Sequence, residues 1–284
     1  MAGLIYHFGL TGYPLGHSLS PRIHLAALRS AGLAGDYKLF PLKSSSSLEQ
    51  LLVLLRQGGL HGLNVTIPHK QSVLALVDLF SHTARMSGAI NTLYMRADQL
   101  VGDNTDVSGF MTDLYEKIGS GFAKKNVLVL GAGGAARAVV IGLLSAGWRV
   151  VVSAREAERA HNLVEQLRPW SRKEHLQALS LKKEVLNDAM ESFGLLVNTT
   201  SAGMAPQLLV DPLPEEVEFP RDLLLYDLVY NPANTVLMQR FQLAGNIAYN
   251  GLGMLVEQAA RSFELWTGMH VSREDLWRAL DEEK

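Results

Sequence analysis

A lysine, an asparagine and an aspartate stand at the ends of short apolar runs. Lys70 closes the segment NVTIPHK, Asn91 lies in GAINT, and Asp106 closes GDNTD. Upstream, the segment GYPLGHSLSP puts Ser18 and Ser20 at the start of a predicted helix, where hydroxyls can bind a small oxygen-bearing ligand. Taken singly, each group has a plainer role. Serine caps helices, lysine is commonly a solvated helix residue, and Asn or Asp beside glycine makes turns. A further segment suggests what chemistry they could share. Asn126 to Ala138 reads NVLVLGAGGAARA: an apolar strand run, then Gly131, Gly133 and Ala136 in a G-x-G-x-x-A pattern, then an apolar helical stretch to about Gly147. In that order the glycines let the backbone turn sharply and approach a pyrophosphate at the positive end of the helix. Hydride transfer is then the chemistry to expect. It needs a nicotinamide, a carbonyl or alcohol beside it and a proton donor for the oxygen, and the polar residues upstream could meet the last two needs.

These groups need elements to hold them. Ile5 to Gly12 reads as a first strand, and a helix from Ser20, with serine as N-cap and Pro21 at the first helical position, runs to about Ala31. A strand at Tyr37–Leu42, a helix at Leu48–Gln57 capped by the run Ser44–Ser47, and a strand at Gly62–Ile67 follow. A helix is predicted from about Lys70 to Leu79, then a turn, then a strand–turn–strand from Ala89 to Val101. Val107–Ile118 should be a helix. Beyond the glycine motif come a strand at Arg149–Ser153, a helix at Ala157–Leu167, a short segment near Leu179 and strands at Leu195–Asn198 and Leu223–Leu228. Helices at Thr235–Ala244, from Gly251 to about Thr267 and from Ser272 complete the pattern, with Pro206–Arg221 as a surface loop. Alternating strands and helices argue an α/β fold with open, at least partly parallel sheets.

Length and composition bound the rest. At 284 residues the chain is long enough for two domains, and more than a hundred residues precede the dinucleotide motif. It is 48% hydrophobic and 19% charged with a formal net charge of −2, which gives no basic footprint for nucleic acid or an anionic membrane. The absence of cysteine excludes disulfides, thiolate metal sites and cysteine nucleophiles. The first ten residues show no charged region followed by a long apolar stretch, so no secretory signal is expected. A cytoplasmic protein handling small molecules is the expectation. His17, His24, His61 and His69 offer no two-histidine helical pair with a carboxylate, so no metal site is expected.

In a unit that binds NAD, an acidic residue normally ends the second strand and holds the ribose hydroxyls. Here that region reads VVVSAREAER: Ser153 and Ala154 end the strand, and Arg155 and Arg159 follow at helical i, i+4 spacing. Two guanidinium groups suit a 2′-phosphate, which favours NADP.

The four upstream segments, the glycine motif, NTTSAGM (198–204), YDLVYNP (226–232), GLGMLVEQAA (251–260) and WTG (266–268) resemble, in order and spacing over nearly the whole chain, the signature segments of the shikimate dehydrogenase family. The resemblance implies an N-terminal α/β substrate-binding catalytic domain (1–106), a Rossmann-type, doubly wound NADP-binding domain (107–249) and C-terminal helices (250–284) that return to the first domain. It implies NADPH-dependent reduction of 3-dehydroshikimate to shikimate, a step of aromatic amino-acid biosynthesis. Lys70 and Asp106 would be the catalytic pair. Ser18 and Ser20 would bind the substrate carboxylate with Thr66 close by, Asn91 would bond ring hydroxyls, and Tyr230 and Gln258 would complete the pocket. Cofactor contacts would fall on Gly131, Gly133, Gly134, Ala135, Ala154, Arg155, Arg159, Thr199, Ser201, Leu228, Gly251 and Met254. The family's NADP-binding form commonly reads Asn-Arg-Thr where this chain has Ala154, Arg155 and Glu156, and Glu156 beside a phosphate would be repulsive unless it points away. Minor departures are Leu25, where a polar residue is frequent, and Asn250, where aspartate is frequent. A quinate/shikimate dehydrogenase with NAD or dual cofactor use, or a ligand sensor without catalysis, would share most of these residues. The partners expected are a small-molecule substrate and no nucleic acid or membrane, in a monomer or homodimer.

Overall fold

The computed structural model describes residues 4–44, 47–119 and 121–281. The chain divides into two compact units, one of residues up to Gly109 with Leu255 onward, the other Phe110–Met254. In the first unit the order is β1 (Tyr6–Gly12), α1 (Ser20–Ser30), β2 (Gly35–Pro41), α2 (Leu48–Arg56), β3 (Gly62–Val65), β4 (Leu79–Phe80), α3 (His82–Ser87), β5 (Thr92–Arg96) and β6 (Gln99–Asp103). Helix α4 (Asp106–Ile118) begins in this unit and ends in the other. The second unit continues with β7 (Asn126–Leu130), α5 (Gly134–Ser145), β8 (Arg149–Ser153), α6 (Ala157–Leu167), β9 (Leu176–Leu179), α7 (Lys183–Met190), β10 (Leu195–Asn198), β11 (Leu224–Asp227), α8 (Val236–Leu243) and β12 (Ala248–Asn250). Helix α9 (Leu252–Thr267) crosses back, and α10 (Arg273–Asp281) follows it in the first unit.

The first sheet has strand order β2-β1-β3-β5-β6-β4. Strands β2, β1 and β3 are mutually parallel, β5 runs antiparallel to both β3 and β6, and β4 is parallel to β6. Alternation along the strands serves two cores. Phe8 and Leu10 pack with Ile23 of α1, Val256 and Phe263 of α9 and Leu276 of α10. Leu63 and Val65 pack with Leu51, Leu52 and Leu55 of α2. Phe8 meets three aromatic rings, stacked on Trp266 at 4.7 Å, edge-on to Phe263 at 6.0 Å and tilted against Tyr6 at 5.7 Å.

The second sheet is parallel throughout, in the order β12-β11-β10-β7-β8-β9. Numbered within the unit, with β7 first, this is 3-2-1-4-5-6, the doubly wound order. Val127–Leu130 are each at most 1% exposed, as expected of a central strand covered on both faces. Helix α5 buries eight consecutive residues from Ala136 to Leu143, all apolar except Arg137, so it is buried all round rather than striped.

The structure departs from the sequence reading in several places. The predicted helix at Lys70–Leu79 is a turn, a short 3₁₀ segment (Ser72–Leu76) and the strand β4. Asp78 ends the helical path: its carboxylate takes both guanidinium donors of Arg56 and the Leu100 amide, which turns the chain alongside β6. Ser20 is the first residue of α1 and not its cap; Leu19 holds that position without a side-chain bond. Ser47 precedes α2 but makes no capping bond, and Ser45 and Ser46 lie outside the described residues. Helices α3 and α7 and strand β12 were not expected.

Candidate active site

In the first unit the polar residues collect where strands end. β3 leads into the turn that carries Thr66 and Lys70, and the hairpin β5–β6 places Asn91 just before one strand and Asp106 just after the other. The Asn91 amide N–H donates to the Asp103 carbonyl (3.0 Å) and the Ile90 amide to the Lys70 carbonyl (2.7 Å), which ties the three segments together. Lys70 Nζ then donates to Asp106 Oδ2 at 2.6 Å, with the two side chains 14% and 6% exposed. Asn91 Nδ2 donates to the other carboxylate oxygen, Oδ1, at 2.8 Å. Asp106 is the first residue of α4, where the partial positive charge of a helix start favours a carboxylate.

The orientation of Asn91 is set from behind. Its Oδ1 accepts from the Thr105 amide (2.8 Å) and lies 3.2 and 3.1 Å from the hydroxyls of Thr105 and Thr92. That leaves Nδ2 to face Asp106, with Thr105 Oγ1 at 2.9 Å and Gln258 Oε1 at 3.3 Å. Ser262, one turn past Gln258, contacts Thr92 (2.8 Å) and Thr105 (3.0 Å) and accepts from Asn64 Nδ2 (3.1 Å). Asn64 in turn accepts from the Tyr37 hydroxyl at 2.8 Å. Buried polar groups must be bonded to survive, and this neutral network satisfies them while holding the lysine–carboxylate pair. Sequence reading missed Asn64, Thr92, Thr105 and Ser262. Asn64, Thr92 and Thr105 sit inside quoted motifs, while Ser262 is signalled only by its i+4 spacing from Gln258 on α9.

Ser18 and Thr66 come from neighbouring parallel strands. The Thr66 amide donates to the Thr11 carbonyl (2.9 Å) and the Tyr13 amide to the Ile67 carbonyl (2.7 Å), so the exits of β1 and β3 run side by side. Gly12 makes this possible: at φ +153° a Cβ there would lie 2.4 Å from the Thr66 methyl. Ser18 is half-buried and Ser20 buried, and Ser18 Oγ accepts from the Ser20 amide at 3.3 Å. Lys70, Asp106, Asn91 and Gln258 are thus joined by hydrogen bonds within one unit, with Ser18, Ser20 and Thr66 at its strand exits. Tyr230 belongs to the other unit.

The second unit carries the dinucleotide motif at the switch point of its sheet, where β7 has β8 on one side and β10 on the other. Gly131 follows β7 at φ +110°, and a Cβ there would fall 2.5 Å from Thr199 Oγ1. Thr199 returns the contact by donating its amide (2.9 Å) and hydroxyl (2.6 Å) to the Leu130 carbonyl. Gly133 precedes α5 without a side-chain cap, and a Cβ added to it would meet nothing within 4 Å. The first-turn N–H groups at Gly134 and Ala135 have no preceding helical carbonyl to bond. An open glycine cradle at an uncapped helix start fits a pyrophosphate.

Beyond β8, Ala154 is buried, while Arg155 and Arg159 are exposed. No acid ends β8, so these residues fit NADP rather than NAD. Glu156 lies 3.7 Å from Arg159, with the two side chains 61% and 68% exposed. Leu228 follows β11 half-buried, and the Gly251 amide donates to the Val229 carbonyl at 3.3 Å. Ser201 is exposed and Met254 buried. Among the described residues no group of three or more His, Asp and Glu is placed to hold a metal ion.

Over most of its length the chain is similar to known proteins. Residues 10–93 match the family model described as the shikimate dehydrogenase substrate binding domain. Residues 113–211 match shikimate/quinate 5-dehydrogenase, and 251–280 the shikimate 5′-dehydrogenase C-terminal domain. The shikimate dehydrogenase (NADP(+)) of Bacillus subtilis (strain 168) is 36% identical over 271 residues, 95% of this chain and 94% of that protein. The one from Symbiobacterium thermophilum is 40% identical over 261 residues, 92% of this chain and 88% of that protein. Among solved structures, shikimate 5-dehydrogenase from Thermus thermophilus in complex with NADP(H) and shikimate superposes with a TM-score of 0.84 at 35% identity, covering 98% of this chain and 99% of that one. The chain belongs to the shikimate dehydrogenase family.

Proposed function

We propose that this chain catalyses the reversible, NADPH-dependent reduction of 3-dehydroshikimate to shikimate, an oxidoreductase step on a CH–OH group in aromatic amino-acid biosynthesis. The observation that carries the reading is the Lys70–Asp106 pair, bonded at 2.6 Å with Asn91 on the second carboxylate oxygen. Relatives named as NADP-dependent shikimate dehydrogenases over most of their length support it. The dinucleotide supplies the hydride when bound. Lys70 would deliver a proton to the substrate oxygen in the reduction and take that proton back in the oxidation direction. Asp106 orients the lysine nitrogen and with Asn91 receives ring hydroxyls. Ser18 and Ser20 hold the substrate carboxylate with Thr66 close by, and Gln258, 3.3 Å from Asn91, completes the contacts within that unit.

On the cofactor side, Gly131, Gly133, Gly134 and Ala135 take the pyrophosphate and Ala154, Arg155 and Arg159 the 2′-phosphorylated ribose. Thr199, Ser201, Leu228, Gly251 and Met254 line the rest of the dinucleotide. No helix among the described residues is long and apolar enough to cross a membrane, and the reading places the enzyme in the cytoplasm as a monomer or homodimer. Initial rates of shikimate and quinate oxidation, each with NADP and with NAD, test the assignment. Shikimate with NADP should give the highest kcat/KM; equal or faster turnover of quinate would reassign the substrate, and no turnover with retained ligand binding would make the chain a sensor.

A further inference from the structure

Asp227, the last residue of β11, is fully buried, and the proton chemistry makes no use of it. Three donors surround its carboxylate. Asn198 Nδ2 (2.9 Å) and the Val229 amide (3.0 Å) bond Oδ1, and the Thr235 hydroxyl bonds Oδ2 at 2.7 Å. Asn198 is its register partner on β10. The Asn198 Oδ1 accepts in turn from the amide (3.0 Å) and hydroxyl (2.8 Å) of Thr200, and its carbonyl accepts from the Leu228 amide at 2.9 Å. Thr235 caps α8 by accepting from the Met238 amide at 3.2 Å. One buried carboxylate therefore ties together the loop after β10, the loop after β11 and the start of α8. Those two loops carry Thr199, Ser201 and Leu228.

A carboxylate is a costly way to brace loops unless its acceptor capacity is used. Here it receives bonds from three donors in two directions, which a neutral amide of the same shape cannot do. We infer that Asp227 is a positioning residue for the cofactor, acting through Asn198 and the Val229 amide to fix the backbone on which Thr199, Ser201 and Leu228 meet the dinucleotide. This rests on the assignment of those three residues to NADP. Burial pushes the Asp227 carboxyl up to about 6, against the pull of its three donors. Asp211, which adds a small upward push, is itself paired with Arg240 at 2.7 Å. Protonation at Oδ2 would leave the Thr235 hydroxyl without its acceptor and loosen the brace.

The test uses the full chain and titration calorimetry with NADP. Asp227→Asn copies the protonated side chain and should weaken NADP binding about tenfold at pH 8 while leaving the Kd for shikimate unchanged. The 2′-phosphate of NADP also titrates in this range, so the readout is the difference between the two proteins. The affinity gap should close as pH falls from 8 to 5, because the wild type comes to resemble the variant. Thr200→Val, which cuts the network at its far end, should weaken NADP in the same direction and serves if the first variant does not fold. Hydrogen exchange on the wild type separates the two assumptions. NADP should protect amides 199–201 and 228–229; if it does not, the loop assignment fails and the inference with it. If those amides are protected but the folded variants bind NADP within twofold of wild type at every pH, the loops hold the cofactor and the role of Asp227 is overturned.

Discussion

A lysine bonded to a carboxylate at 2.6 Å is oriented before substrate arrives, and orientation is what a proton donor needs most. Lys70→Met keeps about the length of the stem and removes the ammonium group, proton and charge together, so kcat should fall by about 10²- to 10⁴-fold. The Kd for NADP, measured by calorimetry, should stay within twofold; a variant with near-normal turnover would remove Lys70 from the chemistry. A second residue shapes pH behaviour without touching the reaction. His24 is fully buried and stacked on Tyr37 with ring centroids 4.4 Å apart. Burial, partly offset by Asn64 nearby, drives its pKa down to about 3. An unfolded histidine titrates near about 6.5, so below that value the unfolded chain binds a proton that the folded chain refuses. The associated stability is complete above pH 6.5 and drains as pH falls toward the folded value. Between pH 7 and pH 5 the loss should be about 2 kcal/mol from this group. His24→Phe keeps a ring against Tyr37 and should flatten that part of the profile in urea denaturation; an unchanged slope would exclude His24 as its source.

At the scale of elements, the turn from β8 into α6 carries the proposed 2′-phosphate contacts, and its side chains should set how strictly NADP is preferred. Glu156 and Arg159 face each other across one helical turn, both largely in solvent, at 3.7 Å. Such a pair is weak, yet it occupies a guanidinium that a 2′-phosphate would otherwise use and sets a like charge beside that phosphate. Glu156→Ala should tighten NADP binding by about two- to fivefold and leave NAD nearly unchanged; equal gains for both cofactors would mean that the acid acts elsewhere. The β7–α5–β8 unit that leads to this turn was readable in the sequence because three signals coincide there: an apolar strand run, glycines at fixed offsets and an apolar helix. The stretch after Lys70 was not. Its apolar residues suit a helix by period, but the Asp78 carboxylate pairs with Arg56 and the Leu100 amide and draws the next two residues into a sheet, a tertiary effect no local pattern records. The lysine, asparagine and aspartate of the site were visible as types at strand ends. The network holding Asn91 was not, since Asn64, Thr92, Thr105 and Ser262 meet only once β3, β5, β6 and α9 are assembled.

For the whole molecule, the proposed substrate residues and the proposed cofactor residues are built on separate cores, apart from Tyr230, a proposed substrate residue that belongs to the second unit. Ligands should therefore leave distinct footprints in hydrogen exchange. NADP alone should protect residues 131–137, and shikimate alone residues 66–70 and 103–106; a single shared footprint for both ligands would show that the two units respond as one. The division has a further consequence in the order of synthesis. The second unit lies within one uninterrupted stretch, Phe110–Met254, and all its strands are synthesised before α9. The first unit is begun earlier yet finished later, because Phe8 and Ile23 share their core with Val256, Phe263 and Leu276. A nascent chain thus holds a half-lined apolar sheet through the synthesis of an entire neighbouring unit. A stop placed just after Met254 would spare the dinucleotide fold and leave the sheet whose strand ends lead to Lys70 and Asn91 covered on that face by α1 without α9 and α10, making it the part of the nascent chain most dependent on chaperones.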